Sequence, residues 1–191
     1  MDLINLIRRR RSVRRFQEKM PEKSQVMELL ESARFAHSLG NNQPLRYVVS
    51  MNHLANQEIF DASNMAFIHE LGTEFDIDKP APVYIAAYAP RGGSPALHAD
   101  LGASFQNMAL TAIAQDLNMY WLHSFDENKL SDLLEIPANK QVLGLFALGY
   151  PAEKAEAYNA DQKTETLDDK TDQRRIRVPK LRVSQISSWI D

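Results

Sequence analysis

The sequence contains no cysteine, which excludes disulfides, thiolate nucleophiles, iron–sulfur clusters and cysteine-ligated zinc sites from these 191 residues. Any redox chemistry must therefore come from a bound cofactor. Long apolar runs are also missing, because residues 81–90 and 142–151 are far shorter than the roughly 20 residues that a membrane-spanning helix needs. The sequence thus predicts no transmembrane segment and no membrane partner.

An excess of charge of one sign is missing as well, since 22 basic residues face 25 acidic ones for a net charge of −3. Such a chain lacks the overall positive field that holds a polyanion, so a general nucleic-acid-binding protein is not expected. The first residues place arginines after a short apolar turn, whereas a secretory signal has basic residues before an apolar region. We therefore expect a cytoplasmic protein.

Several familiar catalytic and metal motifs are absent. Residues 144–149 have the glycine spacing of a phosphate loop, but no Lys-Ser or Lys-Thr follows. Gly92 and Gly93 lack the third glycine of a dinucleotide-binding fingerprint. The five histidines form no closely spaced pair, and no Gly-x-Ser-x-Gly motif occurs. We therefore expect neither a metal site nor a serine hydrolase.

The basic residues that are present concentrate near the two ends of the chain. Two windows hold 11 of the 22: Arg8, Arg9, Arg10, Arg11, Arg14 and Arg15, and then Arg174, Arg175, Arg177, Lys180 and Arg182. If the windows met in the fold they would repel each other unless a dianion lay between them, which favours a phosphate site. The alternative is a solvated helix face and a solvated tail. Residues 152–172 are acidic and poor in large apolar side chains, and we interpret them as an exposed connection or arm.

Hydrophobic periodicity predicts an α+β fold with a central sheet flanked by helices. The predicted strands cover residues 45–51, 81–89, 119–125 and 142–150, and the helices follow Asp2, open at residues 21–24, and cover residues 53–72, 97–117 and 127–134. The helix that starts at Leu97 is apolar over an unusually wide arc and contains the small residues Gly102 and Ala103. Such a helix is central to the core or to a subunit interface.

Three segments in this order resemble the FMN-dependent nitroreductase family: RRSVRRF at residues 10–16, SLGNNQP at 38–44 and DLGASFQNMAL at 100–110. The closing LGYP at residues 148–151 is similar too, so the resemblance runs from about residue 3 to Pro151. It implies one nitroreductase-like domain over residues 1–191, with a mostly antiparallel sheet and residues 152–191 as an extended C-terminal arm. It also implies a homodimer with FMN at the interface.

The same resemblance implies which residues contact FMN. Arg10, Ser12 and Arg14 stand at alternate positions, so an extended segment would direct two guanidinium groups and a hydroxyl toward the phosphate. Asn41 and Gln43 carry amides that can both donate and accept, as the ribityl hydroxyls and the pyrimidine edge require. The alternative is that these two are ordinary turn residues. The other arginines of the first window are expected to be solvated or paired with acids.

Two further sites follow from the resemblance. The end of the strand at residues 119–125 matches the one that lies beside the flavin ring, which places His123 and Ser124 near its N5 atom. A histidine there could supply a proton, or equally be held by the backbone, and no side chain is assigned as catalytic.

In the C-terminal window, Arg175 and Arg177 before Pro179 resemble a pattern that returns to the FMN phosphate. Lys180 and Arg182 have the same spacing and form the alternative register. A disordered basic tail is the remaining interpretation.

Taken together, the resemblance implies an FMN-dependent NAD(P)H oxidoreductase. Electrons would pass by a ping-pong mechanism through flavin N5 to a nitro compound, quinone or enone. Two other hypotheses stand beside it, a non-catalytic flavin-binding or storage protein and a small interaction protein whose basic ends dock acidic partners or nucleic acid. The sequence leaves open the acceptor, the choice between NADH and NADPH, and whether the physiological reaction is reduction or dehydrogenation.

Overall fold

The computed structural model describes residues 2–63, 77, 79–161, 167–169 and 175–190. In chain order the elements are α1 (Leu3–Arg9), α2 (Lys23–Arg34), a 3-10 turn (Leu39–Asn41), β1 (Arg46–Ser50), α3 (His53–Ala62), β2 (Val83–Pro90), α4 (Ala96–Ala114), β3 (Asn118–Leu122), α5 (Glu127–Leu133), β4 (Lys140–Gly149), β5 (Lys154–Ala160), β6 (Leu167–Asp169), β7 (Arg175–Leu181) and α6 (Val183–Ile186). The predicted strand over residues 119–125 ends earlier, at Leu122. Of the predicted helix over residues 53–72, the part at residues 64–72 lies outside the described residues.

The main sheet has the strand order β1-β2-β4-β3, and every neighbouring pair is antiparallel. β2 and β4 are apolar on both faces, which is why they occupy the centre. Alternate residues of β2 point to opposite layers: Ile85 packs with α2 and α4, whereas Ala86 packs with α3 and α5. The predicted α+β fold with a mostly antiparallel sheet between helices is confirmed.

α4 is the central helix of the larger core layer. Leu101 and Met108 are fully buried beneath the sheet. The opposite side stays partly or fully exposed in a single chain, along His98, Ala99, Gly102, Ala103, Gln106 and Leu110. We refer to these six residues as the outer strip of α4. At Gly102, a Cβ atom would meet no other atom within 4 Å.

The chain after Pro151 forms a second sheet, with the order β5-β7-β6. β5 and β7 are parallel, and Ile176 of β7 is buried. The interpretation of residues 152–172 as an exposed connection or arm did not include a strand, whereas residues 154–160 form β5 and pair with the C-terminal strand. β5 also contacts α1, so both ends of the chain lie on the same side of the molecule.

None of the helices within the described ranges has the length and apolarity that crossing a membrane requires.

Gly149 closes β4 at a point where backbone and ring atoms approach closely. A Cβ atom there would lie 3.0 Å from Cδ1 of Phe16 and 3.0 Å from Cδ of Pro82. The ring atom of Pro82 is fixed by its own backbone, and Cβ of Phe16, which would lie 3.1 Å away, can move only with its backbone. We expect Gly149→Ala to lower the free energy of unfolding by about 1–3 kcal/mol through overpacking, measured by urea denaturation. An unchanged midpoint at an unchanged m-value would contradict this close packing.

Candidate functional site

Residues 10–14 run beside the free edge of β3, where the backbone N–H of Val13 donates to the carbonyl of Met119 over 3.4 Å. Val13 is buried, whereas its neighbours Ser12 and Arg14 are half-buried. This alternation leaves Arg10, Ser12 and Arg14 on the outer side of the segment. The guanidinium group of Arg14 lies over the ring of Tyr120, 4.6 Å from its centroid.

Arg11 differs from the expectation, because its side chain is only 8% exposed. Its guanidinium donates to the carbonyl of Arg8 over 2.9 Å and also to the carbonyl of Arg10. The last carbonyls of a helix lack intrahelical donors, so Arg11 caps the end of α1. The expectation that this arginine is solvated or paired with an acid was wrong. Its buried Nε–H has no hydrogen-bond partner among the described residues.

Lys180 is the basic residue of β7 that reaches this region. Along a strand, successive side chains alternate between faces, so Lys180 shares a face with buried Ile176. Partial burial lowers the pKa of the Lys180 ammonium, and the nearby positive charges of Arg11 and Arg10 lower it further. We call Arg10, Arg11 and Lys180 the cationic cluster.

The two arginines that the sequence favoured lie on the other face of β7. Arg175 and Arg177 flank the carboxylate of Glu156, with Nε–Oε1 distances of 3.9 and 3.8 Å. Arg177 also lies 5.0 Å from the ring centroid of Tyr158. The structure thus places Lys180 where the charges of Arg10 and Arg11 act on it, whereas Arg175 and Arg177 lie beside Glu156.

The cationic cluster fits a phosphate group. Burial lowers the pKa of Arg10, and burial together with the charge of Arg10 lowers the pKa of Arg11. The charge of Arg10 therefore disfavours the charged form of Arg11, both arginines disfavour that of Lys180, and a dianion among them would reverse that penalty. The unpartnered Nε–H of Arg11 adds a buried donor to the set.

His123 and Ser124 directly follow β3. The imidazole of His123 stacks on the indole of Trp121, with ring centroids 4.9 Å apart and an interplanar angle of 20°. Partial burial lowers the pKa of His123, so the ring is neutral near pH 7 and offers one donor and one acceptor. Ser124 is half-buried beside it. Since Arg14 lies on Tyr120 of the same strand, β3 links these two residues to the N-terminal segment.

Asn41 and Gln43 lie in a turn with unusual backbone angles. Their φ values are 56° and 47°, a left-handed conformation that is costly for residues other than glycine. The Nε2 of Gln43 donates to Oδ1 of Asn41 over 3.0 Å, so the structure brings the two amides together. Such strain persists only where the surroundings hold it, and it is typical of binding sites.

Asp100 of α4 supplies part of that support, and the sequence analysis did not single it out. Its carboxylate is 4% exposed and accepts from the backbone N–H of Leu39 over 3.1 Å. One feature of the sequence could have identified Asp100, because it is the one acid in the otherwise uncharged helical segment of residues 97–113.

A cavity of about 340 Å³ lies beside this turn. Gln43, Asp100 and Ser104 line it together with apolar residues of α2 and β1, and Ser104 shares a 2.5 Å hydrogen bond with Tyr47. Among the described residues, the lining includes none of the cationic cluster and neither His123 nor Ser124. Within one chain, the cavity is therefore lined by the turn that carries the amide of Gln43 and not by the cationic cluster.

A sequence model of the nitroreductase family matches residues 7–150. A curated relative from Archaeoglobus fulgidus, named provisionally as an NADH dehydrogenase/NAD(P)H nitroreductase, is 24% identical over 168 residues, which are 85% of this chain and 92% of the relative. A nitroreductase family protein from Clostridium novyi NT superimposes with a TM-score of 0.68 at 22% identity, covering 79% of this chain and 86% of the other. A variant of an FMN and NADPH-dependent nitroreductase from Sphigopyxis sp. strain HMH gives a TM-score of 0.73 at 18% identity, with full coverage of both chains.

Proposed function

This chain belongs to the nitroreductase family and is an oxidoreductase, and from that premise we propose that it is an FMN-dependent NAD(P)H oxidoreductase. The observation that carries the proposal is the contact of α1 with β5, the partner strand of β7, which places Arg10 and Arg11 near enough to Lys180 for their charges to lower its pKa. A dianionic phosphate is the ligand that makes such a meeting favourable. Cofactor chemistry is also required for redox activity because the chain has no cysteine.

The residues around the cluster would bind the rest of the cofactor. Ser12 and Arg14 extend the phosphate site along the outer side of the N-terminal segment. His123 and Ser124 would lie against the ring, and a neutral imidazole there can donate or accept one hydrogen bond. When bound, FMN supplies two-electron transfer at N5, reduced by NADH or NADPH and reoxidised in a second step by a nitro compound, quinone or enone.

We further propose that the protein is a homodimer with FMN between its subunits. Gln43, whose amide donates to that of Asn41, lines a cavity that does not include the cationic cluster, which supports a site completed by a second copy. The outer strip of α4 is the surface we assign to the interface. The second subunit would also cover the exposed apolar residues near the two chain ends, which are Leu3, Ile4, Val183, Ile186, Trp189 and Ile190.

The second sheet supports treating the whole chain as one domain. Buried Ile176 and the contact between β5 and α1 join the C-terminal strands to the rest. We therefore propose that residues 1–191 form one domain and that residues 152–191 are its arm.

The decisive experiment uses the purified full-length protein under anaerobic conditions. We expect a yellow protein whose flavin absorbance near 450 nm bleaches on addition of NADH or NADPH and returns when a quinone or nitro compound is added. A yellow protein that neither nucleotide bleaches would instead indicate flavin storage. A colourless protein that binds no added FMN would contradict the proposal and favour an interaction protein with basic ends.

A further inference from the structure

Glu153 is a buried acid that no part of the proposed chemistry uses. Glu153 is 7% exposed, although both of its chain neighbours, Ala152 and Lys154, are exposed. The carboxylate oxygen Oε1 accepts from the backbone N–H of Arg14 over 2.6 Å. The backbone N–H of Arg15 is a further donor to the same carboxyl group.

These hydrogen bonds continue a short ladder between the two ends of the family-matched region. The backbone N–H of Gln17 donates to the carbonyl of Tyr150 over 2.9 Å, and that of Ala152 donates to the carbonyl of Arg15 over 2.9 Å. Beyond these two hydrogen bonds, the backbone N–H groups of Arg14 and Arg15 donate to the carboxylate of Glu153 instead of to a backbone carbonyl. This carboxylate thereby ties the N-terminal segment to the residue that immediately precedes β5.

We propose that Glu153 is a positioning residue for the phosphate site. It holds the backbone from which Ser12 and Arg14 project, and it joins that backbone to β5, whose partner strand β7 carries Lys180. One buried carboxylate therefore sets the relative position of both cationic segments. The inference rests on the proposed binding of FMN phosphate at the cationic cluster.

The direction of the pKa shift of Glu153 indicates that this residue does more than stabilise the fold. Burial raises the pKa of Glu153, and the backbone donors and the charges of Arg14 and Arg15 lower it only in part. Those two guanidinium groups, on the N-terminal segment, are the charged groups that face it among the described residues. Because the folded-state pKa is above that of the unfolded chain, the stabilisation from this group is present at low pH and is lost as pH rises through the folded-state value. Ionisation of this carboxyl is therefore less favourable in the folded protein than in the unfolded chain, which is unexpected for an acid kept for stability alone.

The test measures the dissociation constants of FMN and riboflavin for full-length apoprotein at about pH 8 and about pH 5. We expect Glu153→Gln to weaken FMN binding roughly five- to tenfold at the higher pH, since a neutral acceptor holds the amides less firmly. Because burial raises the pKa of Glu153, the lower pH shifts the wild-type carboxyl toward its protonated form, which resembles glutamine, so the difference between the two proteins should narrow. Riboflavin, which lacks the phosphate, should bind both proteins equally.

Glu156→Gln is the matched control, because Glu156 is an exposed acid on β5 that faces Arg175 and Arg177. It should leave both dissociation constants unchanged. If Glu153→Gln does not fold, Glu153→Asp replaces it, and we expect it to weaken FMN binding at the higher pH because the shorter carboxylate reaches the amides less well. Equal FMN affinity of variant and wild type at both pH values, or an equal loss at both, overturns the role of Glu153. A wild-type protein that binds no FMN overturns the proposed function instead.

Discussion

The double variant Arg10→Ala/Lys180→Ala is expected to bind FMN roughly a hundred- to ten-thousand-fold more weakly than the wild type. Each side chain would make a charge-assisted hydrogen bond to a dianion, and the loss of one such contact costs about 1.5–3 kcal/mol, or about ten- to a hundred-fold in affinity. Fluorescence titration of FMN into apoprotein measures the change. Riboflavin binding should change far less, because the lost contacts are made to the phosphate.

Single variants of β7 decide between the two registers of the C-terminal basic residues. Lys180→Ala should weaken FMN binding about ten- to a hundred-fold, as expected for one lost contact. Arg177→Ala should have little effect because Arg177 lies on the opposite face beside Glu156. The reverse result, with Arg177→Ala weakening FMN binding and Lys180→Ala silent, would assign the phosphate contact to Arg175 and Arg177. Light scattering should accompany each titration, so that a change of assembly is not mistaken for a lost contact.

Gly102→Arg is expected to separate the proposed dimer into single chains. A Cβ atom at this position would meet no other atom of its own chain within 4 Å, so a side chain can be added there without a clash at its first atom. A second copy packed on the outer strip of α4 would have to accommodate a long charged side chain in an apolar contact. Light scattering should show a shift from about twice 21.7 kDa to 21.7 kDa.

Asn128→Arg, on the exposed side of α5, is the control and should remain dimeric. If FMN is shared between subunits, the separated Gly102→Arg chain should also lose its flavin. Removal of FMN from the wild type should lower its melting temperature, and added FMN should restore it. A monomeric wild type that retains one FMN per chain would contradict the shared site.

The core of this protein could be predicted from the sequence because its hydrophobic patterns are strong. β2 and β4 are nearly continuous apolar runs, and only a central strand covered on both faces satisfies such a run. The wide apolar arc of α4 predicted its central position in the same way. The spacing of Arg10, Ser12 and Arg14 also predicted their common side, since a period of two holds for any extended segment.

The second sheet could not be predicted, because β5 has no apolar pattern and is specified by its pairing with a strand far along the chain. The same pairing decides which basic residue of β7, Arg177 or Lys180, faces the N-terminal arginines. Basic residues occupy both faces of β7, and only the burial of Ile176 determines which face turns inward.

The sequence by itself determined the absence of thiol chemistry, the layered α+β core and the residue types around a phosphate. Only the tertiary structure decided that Arg11, Asp100 and Glu153 are buried. From sequence alone, charged side chains are predicted to be exposed to solvent, because burying a charge without a partner is costly. Here each finds a backbone group as its partner, and those partners become neighbours only when the chain folds.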